Sequence, residues 1–195
     1  MKYENAFLEF FSKQSMFTTN DARRFMVELG ASEAYIRLML HNMVKSERIY
    51  RIKKGIYTAS RNEAVVGFGF RPFYYGLQYA LTIRKLWTQQ SVPVIITTKK
   101  ANPGARLVMG IKVILHRISR KGFFGFEYIN YGGIFVPVSD PEKTILDFIY
   151  YGIKLDPETL SRLKEKSDET KLREYSLRLF GKRAENLLAS LSIKS

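Results

Sequence analysis

The stretch RIYRIKKGIY, residues 48–57, decides the fold of the N-terminal part of this chain. Its first half alternates apolar residues with cations, which is typical of a half-buried strand, and residues 53–55 predict a tight turn before a second strand. The stretch before it, residues 32–44, has apolar residues at spacings of three and four, as an amphipathic helix has. A helix followed at once by a hairpin with a basic tip is the arrangement of a winged helix-turn-helix, and it indicates DNA binding.

Two further helices complete this predicted unit. Residues 3–12 carry a helical stripe of apolar side chains, and residues 18–21 offer N-cap side chains for a second helix that ends at Gly30. A short polar stretch, residues 59–63, follows the hairpin. The sequence therefore predicts a winged helix-turn-helix DNA-binding domain at residues 1–60, joined closely to a second domain at residues 61–195.

The second domain is predicted to have an α+β fold. Residues 73–87 are interpreted as a helix and residues 99–105 as a turn, and Asp140 with Pro141 favours a helix start. Strands are predicted at residues 92–98, 112–118, 124–131 and 133–138, and helices at residues 143–151, 157–166, 169–180 and 184–191. Runs of strands followed by runs of helices favour an α+β class, here with a small mixed or antiparallel sheet and C-terminal helices.

The charge of the chain also indicates a polyanionic partner. The 195 residues include 32 Lys and Arg against 18 Asp and Glu, a formal net charge of +14. Lys and Arg side chains that neutralise phosphates release condensed counterions, which favours binding to nucleic acid. The excess is +4 in residues 1–60, +7 in residues 61–150 and +3 in residues 151–195. The charge is therefore not confined to the N-terminal part, and the basic middle of the chain has three interpretations: contact with nucleic acid, contact with an acidic partner, or an ordinary solvated surface.

The residues predicted to contact DNA lie on three elements. The exposed face of the helix at residues 32–45 is expected to read base edges in the major groove. The hairpin cations are expected to contact the phosphate backbone, as are two arginines on the preceding helix. The full set is Arg23, Arg24, Tyr35, Arg37, His41, Lys45, Arg51, Lys53 and Lys54. The alternative is a winged helix that makes protein contacts, with ordinary surface charges.

Several kinds of function are excluded or unsupported by the composition. The sequence contains no cysteine and only two histidines, His41 and His116, so thiolate chemistry and an all-protein zinc site are excluded. No Walker loop, GxGxxG motif or Ser/His/Asp set occurs, and no cofactor is expected. No apolar run approaches the ~18 residues that span a bilayer, and the N-terminus does not read as a secretory signal. We expect a cytoplasmic protein that binds no membrane.

Two constellations have both a functional and a structural interpretation. The aromatic residues of stretch 73–87 suit stacking on unpaired bases, but a core role is favoured. Asp140, Glu142 and Lys143 resemble part of a metal-dependent nuclease site, but the preceding strands add only Glu127. A helix-capping cluster, with Lys143 and Asp147 as an i,i+4 pair, explains these residues better. We therefore expect no enzymatic activity, and a nuclease-like enzyme is the weakest alternative.

The chain resembles the AbiEi-type antitoxins of type IV toxin–antitoxin systems, which are also transcriptional regulators. Three blocks carry this resemblance: LMLHNMVKSERIYRIKKGIYTAS at residues 38–60, FYYGLQYAL at residues 73–81, and VPVSDPEKTILDFIYYG at residues 136–152. Together they cover most of residues 1–155. The resemblance implies an N-terminal winged-helix domain and a larger C-terminal antitoxin domain, with no catalytic residues to carry over.

The resemblance also implies partners. It implies an autoregulator that binds repeats in its own promoter as double-stranded DNA. The oligomeric state is left open between a monomer and a dimer assembled on DNA. The resemblance implies a functional link to a nucleotidyltransferase-like toxin without a stable complex. The alternative is a stand-alone transcription factor whose second domain senses a small molecule or a partner.

Overall fold

The computed structural model describes residues 3–192, and its N-terminal part combines three helices with a small antiparallel sheet. The elements are α1 (Glu4–Phe11), β1 (Phe17–Thr18), α2 (Thr19–Glu28), α3 (Glu33–Lys45), β2 (Tyr50–Lys53) and β3 (Ile56–Thr58). The strands pair in the order β1-β3-β2, and β2 and β3 form the predicted hairpin. The hairpin turn contains Gly55, whose φ of +76° lies in the region that favours glycine.

Local side-chain hydrogen bonds define the starts of α2 and α3. Thr18 and Asp21 form a capping box at α2, in which each side chain accepts from the backbone N–H of the other residue. Ser32 caps α3 by accepting from the N–H of Tyr35. Below these helices a hydrophobic core is formed by Phe7, Phe11, Phe17, Ala22, Met26, Ala31, Ile36, Met39, Leu40, Met43 and Ile49.

The second part of the chain is built around a six-stranded mixed sheet. It starts with a 3-10 helix, η1 (Glu63–Phe70), and continues with β4 (Phe73–Tyr75), α4 (Leu77–Ile83), β5 (Val94–Thr97), β6 (Gly104–Val108), β7 (Ile111–Arg117), β8 (Phe126–Tyr131) and β9 (Ile134–Ser139). Helices α5 (Pro141–Tyr150), α6 (Pro157–Glu165), α7 (Glu169–Phe180) and α8 (Ala184–Ser192) follow. The strand order is β6-β7-β5-β4-β9-β8, with parallel β4–β9 and β5–β7 pairs. The predicted α+β class is therefore present, and the sheet is mixed.

The two faces of this sheet pack on different elements. Tyr75 of β4 donates its hydroxyl hydrogen to the carbonyl oxygen of Ala64, so one face contacts η1. Tyr74 points to the opposite face, where it donates to Asp147 of α5 and stacks on Phe126. Both tyrosines are fully buried. These two aromatic residues thus have the core role that the sequence analysis favoured.

Two sequence-based assignments were wrong. Residues 73–87 are not one helix, because residues 73–75 form a central strand and only residues 77–83 are α-helical. Gly76 separates the two, and a Cβ atom there would lie 2.4 Å from Cδ1 of Ile96, so the chain passes too close to β5 for a side chain. The turn predicted at residues 99–105 ends early, because Gly104 already pairs with Leu115 as the first residue of β6.

The hairpin joins the two parts of the molecule. Its Ile52 side chain is buried and packs in the hydrophobic core of the second part, whereas Ile49 packs in the N-terminal core. A Cβ atom on Gly69 of η1 would lie 3.0 Å from Cγ2 of Ile52, so the backbone of η1 lies directly against the hairpin. The short polar connection at residues 59–63 is therefore accompanied by direct apolar packing.

None of the helices within residues 3–192 combines the length and the hydrophobicity that a bilayer crossing requires.

Candidate nucleic-acid interface

Helix α3 presents a polar face because its apolar residues are used for packing. Ile36, Met39, Leu40 and Met43 are buried in the N-terminal core, as the helical spacing predicts. The opposite side of the helix carries Arg37, His41 and Lys45, which are all at least partly exposed. This face carries side-chain hydrogen-bond donors of the kind with which a helix reads base edges in a groove ~12 Å wide.

The hairpin adds a further arginine to this face. Arg37 and His41 of α3 and Arg51 of β2 line one shallow depression of about 160 Å³. The depression is completed by Thr19, Leu40, Val44 and Tyr57. Arg51 is directly opposite Tyr57 in the β2–β3 register. Thr19 and Tyr57 were not among the predicted contact residues. The alternation of side chains along the two hairpin strands would have located Tyr57 beside Arg51.

The tip of the hairpin adds two lysines. Lys53 and Lys54 are exposed and lie next to the turn at Gly55. We call the surface formed by Arg37, His41, Lys45, Arg51, Lys53 and Lys54 the N-terminal basic surface. Within the described residues, no carboxylate lies within ion-pair distance of any of its Lys and Arg side chains. These cations are therefore available to an external anion.

The two arginines of α2 differ in their contacts. Arg23 forms an ion pair with Glu33 at the start of α3, and both side chains are more than half exposed. Arg24 is exposed and lines a depression with Asn20, Val27 and Glu28. An exposed pair of this kind contributes little stability, so Arg23 can exchange Glu33 for a phosphate at small cost.

Tyr35 lies apart from the exposed face of α3. Its ring packs edge-on against Tyr3, with 5.6 Å between ring centroids. Its hydroxyl is buried and has no hydrogen-bond partner among residues 3–192. The side chain therefore belongs to a contact between Tyr3, just before α1, and α3.

The carboxylates at the start of α5 form a buried cluster instead of an open site. Lys143 and Asp147 are an ion pair with no exposed side-chain area, and the Lys143 ammonium also donates to the Tyr74 hydroxyl at 2.9 Å. Burial lowers the pKa of Lys143, opposed by the Asp147 carboxylate, and burial raises the pKa of Asp147, opposed by Lys143. With no solvent access, these groups cannot contact a substrate.

The remaining acids of this cluster hold α7. Asp140 caps α5 by accepting from the N–H of Lys143, and it is paired with Lys171 of α7 at 3.1 Å. Glu142 accepts from the backbone N–H of Asp168 and also pairs with Lys171. Burial would raise the pKa of Glu142, but these two contacts hold it below its usual value. Asp140 as the N-cap of α5 and the i,i+4 pair of Lys143 with Asp147 are therefore confirmed, whereas Glu142 contacts the start of α7.

The structure does not bring Glu127 to the residues with which a nuclease-like site would need it. Glu127 pairs with Arg84 at 2.7 Å instead of joining the cluster at α5. Across residues 3–192 no group of His, Cys, Asp and Glu side chains is arranged to hold a metal ion.

Residues 5–59 match the family model of the transcriptional regulators described as AbiEi antitoxins. Over this segment, which is less than a third of the chain, the protein is similar to the AbiEi antitoxin regulators. The resemblance predicted from the sequence is thus confirmed over the segment that carries α1, α2, α3 and the hairpin, together with the N-terminal basic surface. The AbiEi family is one of regulators, not of enzymes. No curated protein matches the chain.

Proposed function

We propose that this protein is a DNA-binding autoregulator and antitoxin of a type IV toxin–antitoxin system. In this proposal residues 1–60 are a winged helix-turn-helix that binds repeats in the protein's own promoter, and residues 61–195 are the antitoxin domain. The observation that carries the proposal is the N-terminal basic surface, which lies on the segment that matches the AbiEi antitoxin regulators.

The geometry of this surface supports different DNA contacts for α3 and for the hairpin. Arg37 and His41 project from a helix that the N-terminal core holds rigidly, so they are suited to base edges in the major groove. Lys53 and Lys54 stand at the hairpin tip, where they are suited to phosphates beside the groove. Arg51 lies between the two sets at the shared depression.

The antitoxin part of the proposal rests on the family match. In this proposal the partner is a nucleotidyltransferase-like toxin that forms no stable complex with the protein, and the protein binds DNA as a monomer or as a dimer assembled there. A neighbouring gene for such a toxin, whose toxicity the protein relieves on co-expression, would support this part. Toxicity that persists with the protein present would contradict it.

The proposed function is tested by binding to the protein's own upstream DNA. We expect tighter binding to that duplex than to random duplex of equal length, because base contacts add to the phosphate contacts only at the cognate site. The measurement is a titration of both duplexes over a series of salt concentrations. Equal affinities at every salt concentration would contradict sequence-specific regulation.

Arg37→Ala is expected to reduce discrimination more than affinity for random DNA. An arginine that contacts a base edge contributes about 1–3 kcal/mol of preference for the correct base, so the ratio of cognate to random affinity should fall by roughly 5- to 150-fold. The measurement is the same pair of titrations at one salt concentration. Lys45→Ala, on the same helix face, is the comparison, and an equal loss on both duplexes would assign Arg37 to phosphate contact.

A further inference from the structure

Four exposed or half-exposed cations on residues 61–195 lie close to the hairpin. We call the set formed by Arg71, Lys99, Lys100 and Arg106 the second basic surface. Arg71 follows η1, the two lysines lie in the β5–β6 connection, and Arg106 is on the edge strand β6. None of the four has a carboxylate within ion-pair distance in residues 3–192.

The first link between the two basic surfaces is the packing of η1 on the hairpin. A Cβ atom on Gly69 would lie 3.7 Å from Cβ of Lys53, so these two backbones are in direct contact. Arg71 follows Gly69 by two residues, and its guanidinium lies 4.6 Å from the centroid of the Phe68 ring. The aromatic face holds the guanidinium in position while the side chain stays exposed.

The second link is the buried hydroxyl of Thr97 at the end of β5. Thr97 Oγ1 lies 2.9 Å from the carbonyl oxygen of Phe70 and 2.7 Å from that of Pro72, which flank Arg71. The same oxygen accepts a hydrogen bond from the backbone N–H of Lys99 at 3.0 Å. The start of the lysine-bearing connection is therefore held against the end of η1.

Arg106 completes the set from the edge of the sheet. Its guanidinium lies 5.7 Å from the centroid of the Phe70 ring, and it donates to the carbonyl oxygen of Asn102 in the same connection. Direct contacts thus join four elements on the sheet face opposite to α5: the hairpin, η1, the β5–β6 connection and the edge strand β6. The surface has fixed backbone positions, which limits the entropy cost when a rigid polyanion binds.

We infer that the second basic surface is a binding site for the phosphate backbone of double-stranded DNA, continuous with the contacts of the hairpin. The inference rests on the proposed function and extends it, because it assigns a DNA contact to the second part of the chain. A duplex whose groove is occupied by α3 carries phosphates about every 3.4 Å along each strand beyond the hairpin. Contacts there lengthen the footprint without adding base preference.

The test is the salt dependence of DNA binding by the Lys99→Ala/Lys100→Ala variant of the full chain. Each phosphate contact contributes about 0.9 to the slope of log affinity against log salt, so the slope should fall by about 1.8. Between about 50 and 200 mM salt, the wild-type protein should then show a decrease in affinity about 12-fold larger than that of the variant. The effect should be equal on cognate and random duplex, since the two lysines contact no base edge.

The matched control is Lys182→Ala/Arg183→Ala. It removes the same charge from exposed residues between α7 and α8, and α7 packs on α5, which lies on the other face of the sheet. We expect its slope to remain that of the wild type. Equal slopes for the wild type and both variants would overturn the second basic surface but leave the proposed function intact. Equal reductions of slope in both variants would show a general charge effect and would also overturn it. A wild-type protein that binds no DNA would overturn both proposals.

Discussion

Lys143→Ala is expected to lower the free energy of unfolding by about 3–5 kcal/mol. The substitution removes the partner of Asp147, whose side chain has no exposed area, and leaves a buried carboxylate with only the Tyr74 hydroxyl. Urea denaturation of the wild type and the variant, followed by circular dichroism, measures the difference. A decrease below about 1 kcal/mol would contradict a fully buried ion pair.

The control for this prediction replaces every member of the buried group. The combined variant is Tyr74→Phe/Lys143→Met/Asp147→Leu. It leaves no charge and no hydroxyl of these three residues without a partner, so the free energy of unfolding should return close to that of the wild type or exceed it. Destabilisation by the single change and recovery in the combined variant together distinguish an unpaired charge from a simple cavity. A triple variant as unstable as Lys143→Ala would assign the effect to packing volume.

The second large effect is expected for Arg51→Ala/Lys53→Ala/Lys54→Ala. Because this variant removes three cations that we propose bind phosphate, the slope of log affinity against log salt should fall by about 2.7. Between about 50 and 200 mM salt, the affinity of the wild type should then decrease about 40-fold more than that of the variant. All three side chains are exposed, and the fold should be unaffected. Filter binding or fluorescence anisotropy over the salt series gives the slope.

The comparison variant is Lys121→Ala/Lys182→Ala/Arg183→Ala, which removes three exposed cations from the side of the molecule that carries α7. It should keep the wild-type slope. If the hairpin variant also keeps that slope, the hairpin does not contact phosphate, and any DNA binding is carried by other parts of the molecule.

The helices at the C-terminal end were predictable because their start signals are local. Asp140, Asp156 and Asp168 each cap the following helix by accepting a backbone N–H, and prolines follow the first two. Strand β4 was not predictable in this way. It lies between β5 and β9 and is buried on both faces, so its sequence has no alternation and its partners come from distant parts of the chain.

The candidate site divides in a similar way. The exposed face of α3 follows directly from the spacing of Ile36, Met39 and Met43. The position of Tyr35 does not, since it depends on the docking of α1. Likewise the i,i+4 spacing predicted the Lys143–Asp147 pair, but its complete burial results from tertiary contacts with Tyr74 that no local pattern encodes.

The packing of Ile52 has a consequence for how this protein can be divided experimentally. A fragment that stops at residue 60 would keep α3 and the hairpin but would turn an apolar side chain of the second core toward water. Such a fragment should tend to self-associate through the hairpin, next to the cations that we propose contact DNA. Ile52→Thr in the fragment, a polar β-branched residue that suits a strand, should restore a monodisperse species and a usable DNA-binding unit.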